Sequence, residues 1–172
     1  VSQFGPILMS KVLGLNQTQE SSLTLIFHYA DTNGLWLDTL DDLRAVIQFL
    51  TSDAGKAELK QIGGISSATA GVIVRELTAF AARGADTFFG LPEFDSADFI
   101  RTHPDGTGVL SLLELPSLQD QPEVFSTFLM WLLADLFATL PEEGDVDKPK
   151  LVFFFDEAHL LFKDASKDFL SA

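Results

Sequence analysis

Cysteine is absent from the 172 residues. That excludes disulfides and thiolate metal sites, and it permits a reducing cytosol. Basic residues are scarce: 11 Lys and Arg stand against 25 Asp and Glu, a net charge of −14. They are scattered singly from Lys11 to Lys167, with no basic stripe. On average such a surface repels free nucleic acid. No apolar run suits a membrane span. The most apolar stretch, Val124 to Leu140, is interrupted by Thr127 and Asp135 and reads as a buried helix. No secretory signal opens the chain, although a chain that does not begin with Met says little on that point. Tyrosine occurs once against 16 Phe, so the aromatic bulk serves packing. There is no Gly-x-Ser-x-Gly elbow, and His28 and His103 share no metal-ligand spacing. Internal repeats and low-complexity segments are lacking too.

One further absence bears directly on chemistry. No Gly-x-x-x-x-Gly-Lys-Ser/Thr loop occurs. The nearest approach is Gly55-Lys56, with Leu50 in place of the first glycine and Ala57 in place of the hydroxyl residue. Without the glycines the backbone cannot wrap phosphates. Without the hydroxyl nothing ligates Mg²⁺ from that side.

What is present begins with helices. Pro6 to Leu13 reads as a helix stopped at Gly14. Asn16 can cap the next, with Gln19 in the capping-box position and Leu23, Ile26, Phe27 and Ala30 on its apolar face, and Asn33-Gly34 ends it. Asp38 is the candidate cap of a third, with Leu40, Leu43, Ile47 and Leu50 on one stripe. A short polar helix covers Gly55 to Gln61. Ser66 or Ser67 opens a long one carrying Val72, Val74, Leu77 and Phe80, closed near Gly84, and Asp95 caps a short one through Ile100.

The pattern then changes. Gly108 to Leu113 reads as a strand, Pro122 to Leu140 as a helix apolar nearly all round, and Leu151 to Phe155 as a second strand. Two such strands joined by a helix predict a parallel, right-handed βαβ unit. The second strand ends in Asp156 and Glu157, the shape of a Walker B motif. A buried parallel strand reads as a continuous apolar run and delivers its end to the carboxyl edge of the sheet, where open α/β folds bind ligands. In an ATPase the first acid holds Mg²⁺, usually through water, and the second lies close enough to polarise the attacking water. The plainer reading is a core strand whose end meets solvent.

Two segments imitate calcium loops. In Asp31 to Asp42, positions one, three and twelve suit, but Leu35 and Trp36 fall at five and six. In His103 to Glu114, Asp105, Thr107, Gly108, Leu110 and Glu114 fit, but His103 is a poor first ligand. Calcium takes about six to eight oxygens, and neither loop supplies a convincing set. Helix capping explains the first, and a turn before a strand explains the second. The acidic pairs Asp41-Asp42 and Glu142-Glu143 read as solvated faces.

Several stretches together resemble the HerA-like helicase C-terminal family, a branch of the HerA/FtsK P-loop ATPases. They are Phe4 to Leu8, Leu13 to Glu20, Asp42 to Ala45, Phe88 to Pro92, Asp105 to Val109 and, most specifically, Phe128 to Phe162. The resemblance covers nearly the whole chain. It implies a fold of the α/β class: a partial RecA-like P-loop NTPase domain with a largely helical insertion. The expected division is 1–15 as the start of the ATPase core, 16–102 as the helical insertion, and 103–172 as the βαβ part of the core. The chain reads as an internal piece of a longer cytoplasmic protein. It holds Walker B but lacks Walker A, and stops before the sensor and arginine-finger elements. The resemblance further implies ATP and Mg²⁺ as cofactors, a homohexamer and association with DNA. Asp156 is then the metal residue and Glu157 the catalytic one. His159 either couples the nucleotide site to the moving part, as in related motors, or satisfies a backbone carbonyl at a helix start. The reading of a different class is a non-catalytic helical interaction module whose calcium-loop-like turns are incidental.

Overall fold

The structure, a computed structural model, describes residues 1–91, 95–114, 122–140, 144 and 147–156. The chain divides into two units, 1–91 and 92–172.

The first unit is helical because its apolar residues recur at helical spacing and its helices begin and end on capping residues. Helices α1 (Gly5–Val12), α2 (Gln17–Thr32), α3 (Leu40–Thr51), α4 (Lys56–Gln61) and α5 (Ser67–Ala82) follow in order. α1 ends at Gly14, whose φ of 63° is a left-handed conformation that glycine adopts without penalty. There the Leu15 N–H reaches the Ser10 carbonyl (2.9 Å) and the Gly14 N–H that of Lys11 (3.1 Å), a Schellman closure. α2 closes the same way, with Leu35 on Ala30 (2.8 Å) and Gly34 on Asp31 (3.1 Å). Its start is the expected capping box: the Asn16 side chain accepts from the Gln19 N–H, and the Gln19 side chain accepts from the Asn16 N–H.

α3 differs from expectation in its cap. Thr39, not Asp38, holds the N-cap position. Its hydroxyl oxygen accepts from the Asp42 N–H (3.1 Å), and Asp42 accepts from the Thr39 N–H (2.8 Å). An acid three residues ahead of Thr39 completes a reciprocal pair that Asp38 cannot form with Asp41, which is turned to Arg44. At α5 the Ser66 hydroxyl accepts from the Thr69 N–H (3.0 Å).

The core of this unit lies among α2, α3 and α5, with α1 against α2. Leu23, Ile26, Leu43, Ile47, Leu50, Ile73, Leu77 and Phe80 are all buried to 1% exposure or less. Each such side chain contributes about 1.5–3 kcal/mol on burial, so the stripe sets the fold. Phe89 packs edge-on to Phe4 (5.5 Å) and tilted to Phe80 (6.3 Å), which fastens the chain's first residues to the end of the unit. The Ser2 N–H adds a bond to the Leu37 carbonyl (2.9 Å). Tyr29 of α2 donates its phenol to Glu58 of α4, holding the short helix in place.

In the second unit, α6 (Pro122–Thr139) buries Phe128, Leu129, Leu132 and Leu136. It packs on a 3₁₀ turn, Ser96–Ile100, opened by the Asp95 carboxylate, which accepts from the Ala97 N–H (2.9 Å). The helix is apolar nearly all round, and its cover fails towards its C-terminal end: the consecutive Ser126, Thr127, Phe128 and Leu129 are all buried, whereas Leu133 and Phe137 are 40% and 91% exposed. Among the described residues no helix is long and apolar enough to cross a membrane.

The α/β expectation is corrected here. The described residues are helical and contain neither strand nor sheet, so they do not form the predicted RecA-like βαβ unit. The two segments read as strands, Gly108 to Leu113 and Leu151 to Phe155, have no regular structure. The isolated bridge that does occur, Thr102 to Gly108, is antiparallel and closed by a local turn. The reason is physical. An apolar run records a capacity for burial, whereas a strand exists only through ladder bonds to a neighbour. No neighbour is supplied among these residues, and Leu110 and Phe154 stand 81% and 89% exposed.

Candidate functional site

Three places carry chemistry that the sequence singles out, and a fourth emerges from the structure. The first is the acidic pair. Phe153 and Phe155 lie on one side of their segment with rings stacked at 5.8 Å and 9°. Asp156 follows in a turn and is exposed. Glu157 and His159 lie outside the described residues. Among those described, no group of three or more His, Cys, Asp or Glu side chains is placed to hold a metal ion.

The second place is Gly55-Lys56, the nearest approach to a phosphate loop. Its geometry is that of a helix junction. A Cβ on Gly55 would lie 2.2 Å from the Phe49 carbonyl oxygen and 2.8 Å from the Leu50 Cα. The glycine therefore lets the α4 start approach the α3 end. The Gly55 and Lys56 N–H groups both point back to the Ser52 carbonyl, at 3.2 and 3.0 Å. The Lys56 ammonium pairs with Asp53 at 2.6 Å. Donors committed inward in this way do not cradle a phosphate, and a Lys held by a neighbouring Asp is not aimed at one.

The third place is the pair of calcium-like loops. In the first, the acids serve two helices: Asp31 lies in α2, the Asn33 amide donates to the Tyr29 carbonyl (2.8 Å), and Asp42 caps α3. The Thr39 hydroxyl bond holds the Asp42 carboxyl below its usual value, against a weaker upward push from burial. In the second, Asp105 accepts from the Thr107 N–H (3.0 Å) and hydroxyl (2.7 Å), which lowers its pKa in the same way. Gly106 turns the chain at φ 83°, and the His103 N–H returns to the Thr107 carbonyl (2.8 Å). Five residues thus close a tight turn, with Asp105 facing its own backbone.

The fourth place is an open groove of about 560 Å³ on the first unit, lined in part by Pro6, Phe27, His28, Asp31, Leu35 and Trp36. Trp36 is 82% exposed beside it. Sequence reasoning gives Trp36 only as a misfit in a calcium-loop pattern. The signal that points to it is Leu35-Trp36-Leu37 itself, apolar residues lying past the glycine that ends α2 and outside any helical stripe.

Charge is divided unevenly. Residues 92–172 hold 16 acids against 5 bases, and 1–91 hold 9 against 6. The acidity is therefore a property of the unit that carries Asp156.

No curated protein and no solved structure matches the chain. A family model described as helicase HerA-like C-terminal matches residues 1–172, its entire length. The chain belongs to the helicase HerA-like C-terminal family.

Proposed function

We propose that the chain is part of a HerA-type ATPase that hydrolyses ATP to drive work on DNA. Membership of the family over all 172 residues is the observation that carries this reading. Its second support is local: an apolar pentad, Leu151 to Phe155, ending in Asp156 and Glu157. In the proposal Asp156 holds Mg²⁺ and Glu157 activates water, with His159 beside them as a coupling residue.

The described residues do not by themselves fit Mg²⁺-ATP. Among the described residues no cluster of three or more candidate ligands includes Asp156, and the Gly55-Lys56 junction is closed to phosphate. The phosphate cradle and the remaining metal ligands are assigned to other parts of the whole protein, as is the surface that meets DNA. The strongly acidic 92–172 unit opposes a phosphate backbone, whereas the nearly balanced 1–91 unit does so far less. A cytoplasmic homohexamer is the assembly proposed, on the family's behaviour alone.

The test is Glu157→Gln in the whole HerA-like protein. The amide keeps the shape of the side chain but cannot take a proton. Turnover of ATP should fall about a hundred- to ten-thousandfold while nucleotide binding persists. Undiminished turnover would remove Glu157 from the mechanism.

A second reading rests on the first unit. Of the acids in its calcium-like pattern, Asp42 completes the α3 capping box and Asp31 lies within α2, and the unit presents a groove rimmed by an exposed Trp36. On that reading 1–91 is a helical interaction module with no catalytic part of its own.

A further inference from the structure

The groove beside Trp36 has a chemistry that the rest of the fold leaves unused. Trp36 and Leu35 are 82% and 42% exposed on its rim. Exposed apolar side chains gathered along a groove mark a contact site more often than solitary ones do. Three features then fix the charge of what would lie there. Asp31 is the sole formally charged side chain on the lining, and no Lys or Arg is present. The groove sits at the C-terminal end of α2, whose 16 residues include no basic group in the last turn. No basic side chain in that turn therefore offsets the negative end of the helix dipole, whose last carbonyls are met by the Asn33, Gly34 and Leu35 N–H groups. The indole face, finally, is an electron-rich surface that attracts cations, and Trp does so better than Tyr or Phe.

All three features repel a phosphate and attract a guanidinium or an ammonium. Pro6, Phe27 and Leu35 supply apolar wall for the methylene stem of a long basic side chain. The first unit's own balance, 9 acids against 6 bases, adds a weak attraction for a basic partner. We propose that this groove docks an arginine-bearing extended segment of a partner protein, with the guanidinium stacked on Trp36 and facing Asp31. Arginine is favoured over lysine because its planar group stacks on an aromatic face.

The test uses the 172-residue chain and a fluorescein-labelled peptide of alternating glycine and arginine. Binding is followed by peptide anisotropy, and independently by Trp36 emission in a Trp131→Phe background. The expected result is saturable binding that changes Trp36 emission and is absent for the peptide with citrulline in place of arginine. Trp36→Ala and Asp31→Asn should each weaken it about two- to fivefold, the sizes expected for an exposed cation–π contact and an exposed ion pair. Both residues are exposed, so circular dichroism should show the fold retained. Equal affinity in Trp36→Ala would overturn the proposal, since it would place the peptide elsewhere on the acidic surface. So would equal binding of the citrulline peptide, or tighter binding of decathymidylate than of the arginine peptide, which would make the groove a nucleic-acid site.

Discussion

Replacing Gly55 by alanine would put a methyl group where the structure already has main chain. The new Cβ would meet the Phe49 carbonyl oxygen at 2.2 Å, its carbon at 2.7 Å and the Leu50 Cα at 2.8 Å. No rotamer change can relieve such contacts, because all three atoms are backbone. α4 must move off the end of α3, and the Tyr29–Glu58 bond that holds α4 must stretch with it. Overpacking of this kind costs about 1–3 kcal/mol. With a urea slope of about 1–3 kcal/mol per molar, the unfolding midpoint should fall by roughly 1 M. Gly71→Ala supplies the opposite sign. That glycine lies inside α5, and its Cβ would meet only the Arg75 guanidinium at an ordinary 3.7 Å. Alanine there should stabilise by roughly 0.5–1 kcal/mol through helix propensity. Urea denaturation of the three proteins decides the matter. A Gly55→Ala midpoint at or above that of the parent would refute the junction argument, and would return Gly55-Lys56 to consideration as a binding loop.

Ser10→Ala should raise the melting temperature, by an amount corresponding to about 1 kcal/mol. Its hydroxyl is fully buried and has no hydrogen-bond partner among the described residues, so a fall in melting temperature would mean that a partner exists. Asp42→Asn should destabilise at neutral pH, and its deficit should shrink as pH drops below about 4. The folded Asp42 carboxyl titrates below its unfolded value, so its contribution is present above the unfolded pKa and lost as pH falls through the folded one. A deficit independent of pH would leave only the neutral part of the cap. Light scattering on the 172-residue chain should show self-association with rising concentration, and Phe154→Asp should push it back towards monomer. Phe154 is 89% exposed, and a monomer at every concentration would show that the apolar residues of the second unit are covered.

The helices were legible because each is specified locally. The stripe Leu40, Leu43, Ile47 and Leu50 is buried throughout, and Asn16, Gly14 and Gly34 stand where capping and closure require them. The one misplaced cap, Asp38 for Thr39, is a shift of a single residue between two competent oxygen acceptors. The choice was made by Asp42, whose position three residues on permits the reciprocal bond. Trp36 was illegible for the converse reason. Nothing in its neighbours' spacing announces a groove, which arises only when α1 and the end of α2 are brought together.

The lack of strands and the lack of a metal cluster among the described residues have a common origin. A helix completes its hydrogen bonds within its own segment, so sequence can specify it alone. A strand needs a partner, and a catalytic centre needs several. Leu151 to Phe155 has every residue a buried central strand needs, yet Val152, Phe153, Phe154 and Phe155 remain exposed. Asp156 stands at the end of that segment. A carboxylate on an unladdered segment has no fixed position relative to a nucleotide, and positioning supplies most of what phosphoryl transfer requires. A neighbour that bonded to Leu151 to Phe155 would both bury the phenylalanines and constrain Asp156, and the described residues supply none. The two effects should appear together: a partner segment that suppresses self-association of the chain should be the one that brings Asp156 and Glu157 into register. Suppression of association by Phe154→Asp alone separates the two, because it removes the apolar drive without supplying the neighbour.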